Sequence, residues 1–153
     1  MIRINSAKVK ADFSLLKKKL GEAKAFIVGD KIMKDISSQA ATIISQRTGK
    51  GMDADGKKFK KYSKEYAETK KKAGKQINPP NLNLSGLMLN SLQGRAVSPR
   101  KGEVYFSQSQ AANRAAYNDE ERNFFDIRRA NEINALSNRA NELIGIAIKK
   151  SGL

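Results

Sequence analysis

Side chains able to carry acid–base or metal chemistry are sparse in this sequence. Its 153 residues include no histidine and no cysteine. The commonest general base, the commonest metal ligand and every thiolate are therefore missing together. Catalysis would have to rest on carboxylates, lysine, tyrosine or serine. Glu120, Glu121 and Asp126 are the densest carboxylates near apolar residues, and a glycosidase-like pair among them is conceivable. Arg122, Arg128 and Arg129 stand beside them, so local ion pairs are the simpler account. Asp53-Ala54-Asp55-Gly56 has the opening of a calcium loop, which would need further oxygen ligands and a closing bidentate glutamate. Lys57, Lys58, Lys60 and Lys61 follow instead and would repel a dication, so a turn is the simpler reading. No stretch has P-loop spacing. The expectation is no catalytic residue, no metal site and no cofactor.

The chemistry that is abundant is positive charge. Lysine plus arginine number 30 against 15 acidic residues, a formal net charge of +15. Between Arg47 and Lys75, eleven basic residues face four acidic ones, so this stretch alone carries +7. A field of that density attracts polyanions and acidic surfaces. Phe59, Tyr62 and Tyr66 punctuate it. They could form a stacking platform for single strands, each stacked base contributing ~1–3 kcal/mol. Their spacing of three and four instead predicts one buried helical face with the lysines solvated around it.

Several elements must position these residues. Val9, Phe13, Leu16 and Leu20 predict a short amphipathic helix ended by Gly21. Phe26, Ile32, Ile36, Ala40, Ile43 and Ile44 predict a second helix from near Glu22 to about Arg47, stopped by Gly49 and Gly51. Met52 to Gly56 reads as a turn, and Ser63 as the cap of a helix over Lys64 to Lys72. Asn78-Pro79-Pro80-Asn81 predicts an extended connection. Leu82 and Leu84 alternate with asparagines, as in a short strand or arm, and Ser85 opens a helical turn through Leu87, Leu89 and Leu92.

Arg95-Ala96-Val97 and Glu103-Val104-Tyr105-Phe106 flank a run of turn residues, a β-hairpin signal. Ser109 to Tyr117 is alanine-rich and helix-prone, and Asn118 to Arg122 reads as a polar loop. Asn123 to Ile127 is a compact apolar knot before a last helix bearing Ile133, Leu136, Ala140, Leu143, Ile144 and Ala147 on one face. Together these predict an α+β fold of helices packed on a small antiparallel sheet. A single domain over 1–153 is expected, with a basic loop or arm at 49–81. The longest apolar run, Leu143 to Ile148 with Gly145 counted, is far short of the ~20 residues of a membrane span. The N-terminus lacks the apolar core of a signal peptide, so cytoplasmic synthesis and no membrane partner are expected.

Several blocks follow one another in a telling order. Gly51-Met52-Asp53-Ala54-Asp55-Gly56-Lys57-Lys58-Phe59 follows a helix. Tyr62-Ser63-Lys64-Glu65-Tyr66 and a basic spacer come next, then Leu82-Asn83-Leu84-Ser85-Gly86-Leu87-Met88-Leu89-Asn90-Ser91-Leu92. A hairpin, a helix ending at Tyr117-Asn118, and Arg122-Asn123-Phe124-Phe125-Asp126-Ile127 complete the series. Over about residues 25–150 this order resembles the virion morphogenesis proteins of tailed bacteriophages, namely the Mu-type tail-completion proteins and the related lambdoid neck proteins. The Leu82–Leu92 block is its most specific part. Asn118-Asp119-Glu120-Glu121 departs from the His/Gln-x-Gly common there in the family.

The resemblance implies a structural virion protein: a head–tail joining (neck), tail-completion or tail-terminator subunit. It implies a homo-oligomeric ring, hexameric by the family's habit, assembled in a bacterial host with neighbouring connector, tail-tube or terminator proteins. Double-stranded DNA would pass through without sequence readout. In that reading Lys57, Lys58, Lys60, Lys61, Lys70, Lys71 and Lys72 face the DNA channel or an acidic partner. Leu84, Leu87, Leu89 and Leu92 serve ring packing, and the segment from Gly74 through Leu84 is an inter-subunit arm. The alternative, resting on charge alone, is a protein that binds nucleic acid without sequence preference.

Overall fold

The computed structural model describes residues 29–83 and 85–150. The expected helix over Val9 to Leu20 lies outside them, as does Leu84. Five helices and two strands follow in the order α1 (Asp30–Gly49), α2 (Lys64–Lys72), α3 (Leu87–Asn90), β1 (Leu92–Ser98), β2 (Lys101–Phe106), α4 (Ser109–Arg122) and α5 (Ala130–Lys150). The fold is α+β.

Helix α1 forms because Ile32, Met33, Ile36, Ala40 and Ile44 recur at helical spacing and are all buried. Each fully buried isoleucine contributes roughly 1.5–3 kcal/mol by leaving water. The helix ends where the Lys50 N–H donates to the Arg47 and Gln46 carbonyls, both at 3.1 Å. Gly51 follows in the left-handed region, φ +75°, which a side chain there would resist.

The hairpin β1–β2 is antiparallel, pairing Leu92 with Phe106, Gly94 with Val104 and Arg95 with Glu103, with an irregularity between Ala96 and Ser98. An isolated two-stranded hairpin is marginal in water, and here α1 supplies the missing layer. Leu92, Gly94 and Ala96 alternate inward along β1. At Gly94 the contact is backbone on backbone: a Cβ there would lie 2.1 Å from the Ser37 carbonyl carbon. Val104 and Phe106 carry the core across to Phe125, whose ring centroid lies 4.8 Å from that of Phe106. Helix α5 closes the core with Leu136, Ala140 and Ile144.

Four local expectations differ from the structure. Helix α1 begins at Asp30, behind Gly29 in extended backbone, and not near Glu22. Helix α4 continues through Asn118–Arg122 instead of yielding to a loop. Asn118 Nδ2 donates to the Arg114 carbonyl one turn back, and Asn123, at φ +44°, makes the left-handed exit that ends the helix. Glu120 and Glu121 are exposed on its outer face, while Asp119 Oδ1 accepts from the Phe125 N–H at 2.8 Å. Phe59 and Tyr62 precede α2 and share no helical face with Tyr66. Phe59 enters the core from an extended segment, held by its N–H bond to the Gly51 carbonyl at 2.8 Å. Leu82 is in no strand; it sits at φ +54°.

Candidate interaction surface

Arg47, the first residue of the basic stretch, is an internal staple. Its guanidinium donates to Glu132 Oε2 and to the Phe124 and Asp126 carbonyls, all at 2.6 Å. Burial lowers its pKa, and the Glu132 carboxylate opposes that shift. This one side chain ties the end of α1 to the 124–126 knot and the start of α5.

The aspartate turn is built on the same frame. Asp53 Oδ1 accepts from the Asp55 and Lys57 N–H groups at 3.0 and 2.7 Å. The Ala54 N–H donates to the Asn123 carbonyl at 2.9 Å. Arg128 lies 3.8 Å from Asp55, and Arg129 covers Gly56 so closely that a Cβ would meet its guanidinium at 3.2–3.3 Å. These bonds make a turn, and among the described residues no group of three acidic side chains could hold a metal ion. Asp126 pairs with Arg128 at 2.6 Å. The salt bridge also raises the Arg128 pKa, the hydrogen bond to Asp126 contributing most. Glu120 and Glu121 lie exposed on α4 and join no ion pair.

The lysines divide. Lys57, Lys58, Lys60, Lys61, Lys71 and Lys72 are exposed. Lys70 is not: it is 0% exposed and is the only buried residue of α2. Its ammonium donates to the Asn83 carbonyl at 2.7 Å and Asn81 Oδ1 at 3.0 Å, and lies 4.9 Å from the Tyr62 ring centroid. The expectation that Lys70 meets DNA or an acidic partner is therefore corrected: the Asn83 carbonyl, Asn81 Oδ1 and, at 3.4 Å, the Tyr62 hydroxyl accept from it, and the Tyr62 ring lies beside it. The Tyr62 hydroxyl accepts from the Asn81 and Leu82 N–H groups at 3.1 and 2.9 Å. Ser63 caps α2 as expected, accepting from the Tyr66 N–H.

The arm is folded back in the same way. Pro80 is buried, and Gly51 packs so tightly on Pro79 and Pro80 that a Cβ would approach the Pro80 carbonyl to 2.6 Å. The end of the expected arm, Pro79 to Asn83, thus returns to its own chain, while residues 74–79 stay exposed. The leucine block does likewise. Leu89 is buried in the core, and Leu87 and Leu92 pack against it. That corrects the assignment of Leu89 to ring packing; Leu84 lies outside the described residues.

Ion pairs among the described residues are made by arginines, Arg47, Arg95, Arg128, Arg129 and Arg139 among them. No lysine takes part. Arg95 pairs across the hairpin with the buried Glu103 and lies 4.6 Å from the Tyr105 ring. The planar fork of arginine suits such fixed geometry, while lysine is a hydrated point charge on a flexible stem.

Between α2 and α4 lies a cleft of about 620 Å³ lined by Tyr62, Tyr66, Met88, Arg114, Tyr117 and Arg122, among others. Sequence reasoning missed it, because its two sides are some 50 residues apart and only the fold joins them. Burial raises the Tyr66 pKa, with the neighbouring Tyr62 adding to the shift and Arg122 and Arg114 opposing it. No helix among the described residues is long and apolar enough to cross a membrane. Comparison with family models, with curated proteins and with solved structures finds no match to this chain.

Proposed function

We propose that this chain is a structural subunit of a tailed-bacteriophage virion, a neck, tail-completion or tail-terminator protein that assembles as a homo-oligomeric ring in the bacterial host. One observation supports it beyond the order of the sequence blocks. Lys57, Lys58, Lys60, Lys61, Lys71 and Lys72 are exposed and none is in an ion pair. A flexible, hydrated charge of this kind neutralises passing phosphates or meets an acidic neighbouring ring without gripping base edges. Head-to-tail contacts between copies close into rings when the rotation permits. Virions made without the protein are the direct test. Unjoined heads and tails, or tails of unregulated end structure, are expected in electron micrographs; normal particles would sink the proposal.

The same lysines support a second reading, a nucleic-acid-binding protein without sequence preference. A salt-titrated binding assay with duplex DNA separates the two. A monomer that binds strongly, with affinity falling about 10³–10⁵-fold between 50 and 200 mM salt for 6–10 phosphate contacts, favours the second. Weak binding together with concentration-dependent multiples of the 16.9 kDa chain favours the ring.

A further inference from the structure

The cleft between α2 and α4 holds two arginines that the fold does not use for ion pairing. Arg114 and Arg122 both line it, and neither pairs with a carboxylate. The Arg122 Nε is buried without a hydrogen-bond partner. A buried N–H left without an acceptor costs about 1–3 kcal/mol. Both arginines line the same cleft as Tyr66. Met88 lines the same space and Tyr117 stands 69% exposed at it. One carboxylate, Glu121, also lines the cleft, so its two arginines leave it with a net positive charge beside an apolar and aromatic surface.

We propose that this cleft docks an acidic peptide segment of another protein, carboxylates on Arg114 and Arg122 and an apolar side chain among the tyrosines. Bidentate contact with carboxylates is what the planar guanidinium does best. Two alternatives fit less well. A nucleic-acid strand would want free aromatic faces for its bases. The Tyr62 ring, however, already has the Lys70 ammonium 4.9 Å and the Arg122 guanidinium 5.6 Å from its centroid, and it meets Tyr66 edge-on, at 70° and 5.0 Å. A second copy of this chain would bring its own +15 charge toward a positive cleft. An acidic partner of different sequence has the complementary sign. The inference stands apart from the ring reading, since it concerns this cleft and its ligand alone.

Fluorescence anisotropy on the full chain tests it, with a labelled peptide of glutamates around one phenylalanine as the probe. Its glutamine counterpart and a single-stranded oligothymidine are the competitors. The glutamate peptide is expected to bind and the glutamine one to bind at least tenfold more weakly. Arg114→Gln should weaken peptide binding about tenfold, a loss in the range for one charge-assisted hydrogen bond. Tyr117→Ala should weaken it severalfold. The double variant Lys57→Gln/Lys58→Gln should change it less than twofold. Both cleft positions are exposed, so these variants keep the fold even where Arg122→Gln does not. Equal binding of the two peptides would overturn the proposal. So would indifference to Arg114→Gln, or an oligothymidine that displaces the peptide at lower concentration.

Discussion

Arg47 and Glu132, 85 residues apart in sequence, form a salt bridge of 2.6 Å with side chains only 2% and 8% exposed. Removing one member of such a buried pair strands the other charge and costs ~3–5 kcal/mol. Here the loss also strips the Phe124 and Asp126 carbonyls of their donor. Arg47→Ala is expected to lower stability by ~3–5 kcal/mol in urea unfolding. The double variant Arg47→Met/Glu132→Leu should recover part of it, because no lone charge remains. A double variant no more stable than Arg47→Ala would show that the carbonyl contacts dominate.

Gly94 and Gly145 make a matched pair. A Cβ at Gly94 would run into the Ser37–Ser38 peptide, whereas one at Gly145, inside α5, would meet nothing within 4 Å. Gly94→Ala must push β1 off α1, an overpacking cost of about 1–3 kcal/mol or more. Gly145→Ala should instead add about 0.5–1 kcal/mol, because it removes backbone freedom from a helix interior. Thermal unfolding of the two variants should move in opposite directions from the parent.

Lys70 anchors α2 through acceptors on the 81–83 segment. Lys70→Met keeps the stem and removes the donor, so the Asn81 and Asn83 oxygens lose their partner. Local opening of residues 60–83 is expected, read as faster hydrogen exchange or proteolytic cleavage there, with little change in global unfolding. Lys71→Gln, at an exposed neighbour, should leave protection unchanged. Equal behaviour of the two variants would refute the anchoring role.

Tyr66 gives a pH signature. Its folded pKa lies above the usual 10.0 because burial disfavours the phenolate. The folded chain then holds this proton more tightly than the unfolded chain. Whatever stability the shift contributes is fully present below about 10 and is lost as pH rises from there through the folded value. Phenolate absorbance should show one tyrosine titrating late, and Tyr66→Phe should abolish that late component.

Much of this fold was legible because local chemistry and tertiary outcome agree. The Ile32–Ile36–Ala40–Ile44 stripe forms one helix face, Pro99-Arg100 within the expected run of turn residues makes the hairpin turn, and Ser63 caps α2. The failures share a cause: a residue's partner lies far along the chain. Nothing in the local pattern separates Lys70 from Lys71 and Lys72, and only the return of Asn81 and Asn83 buries one of the three. Arg47 looks like the start of a charged run until Glu132 meets it. The spacing of Phe59, Tyr62 and Tyr66 mimicked a helical face, but Phe59 is drawn into the core and Tyr62 becomes an acceptor for the 81–82 backbone. Asn118 to Arg122 has loop composition, yet α4 continues because Glu120 and Glu121 stay exposed while Asp119 bonds to the Phe125 N–H beyond the helix.

The separation of roles between arginine and lysine has a consequence for descent. Arg47 and Arg95 answer to the fold, since replacing either strands a buried carboxylate. The exposed lysines answer only to whatever they meet outside. Their number and placement can drift, or be redrawn by design, while the architecture stays constant. Relatives of this chain should therefore keep the arginine–carboxylate pairs and vary the lysines with the partner each lineage must accommodate.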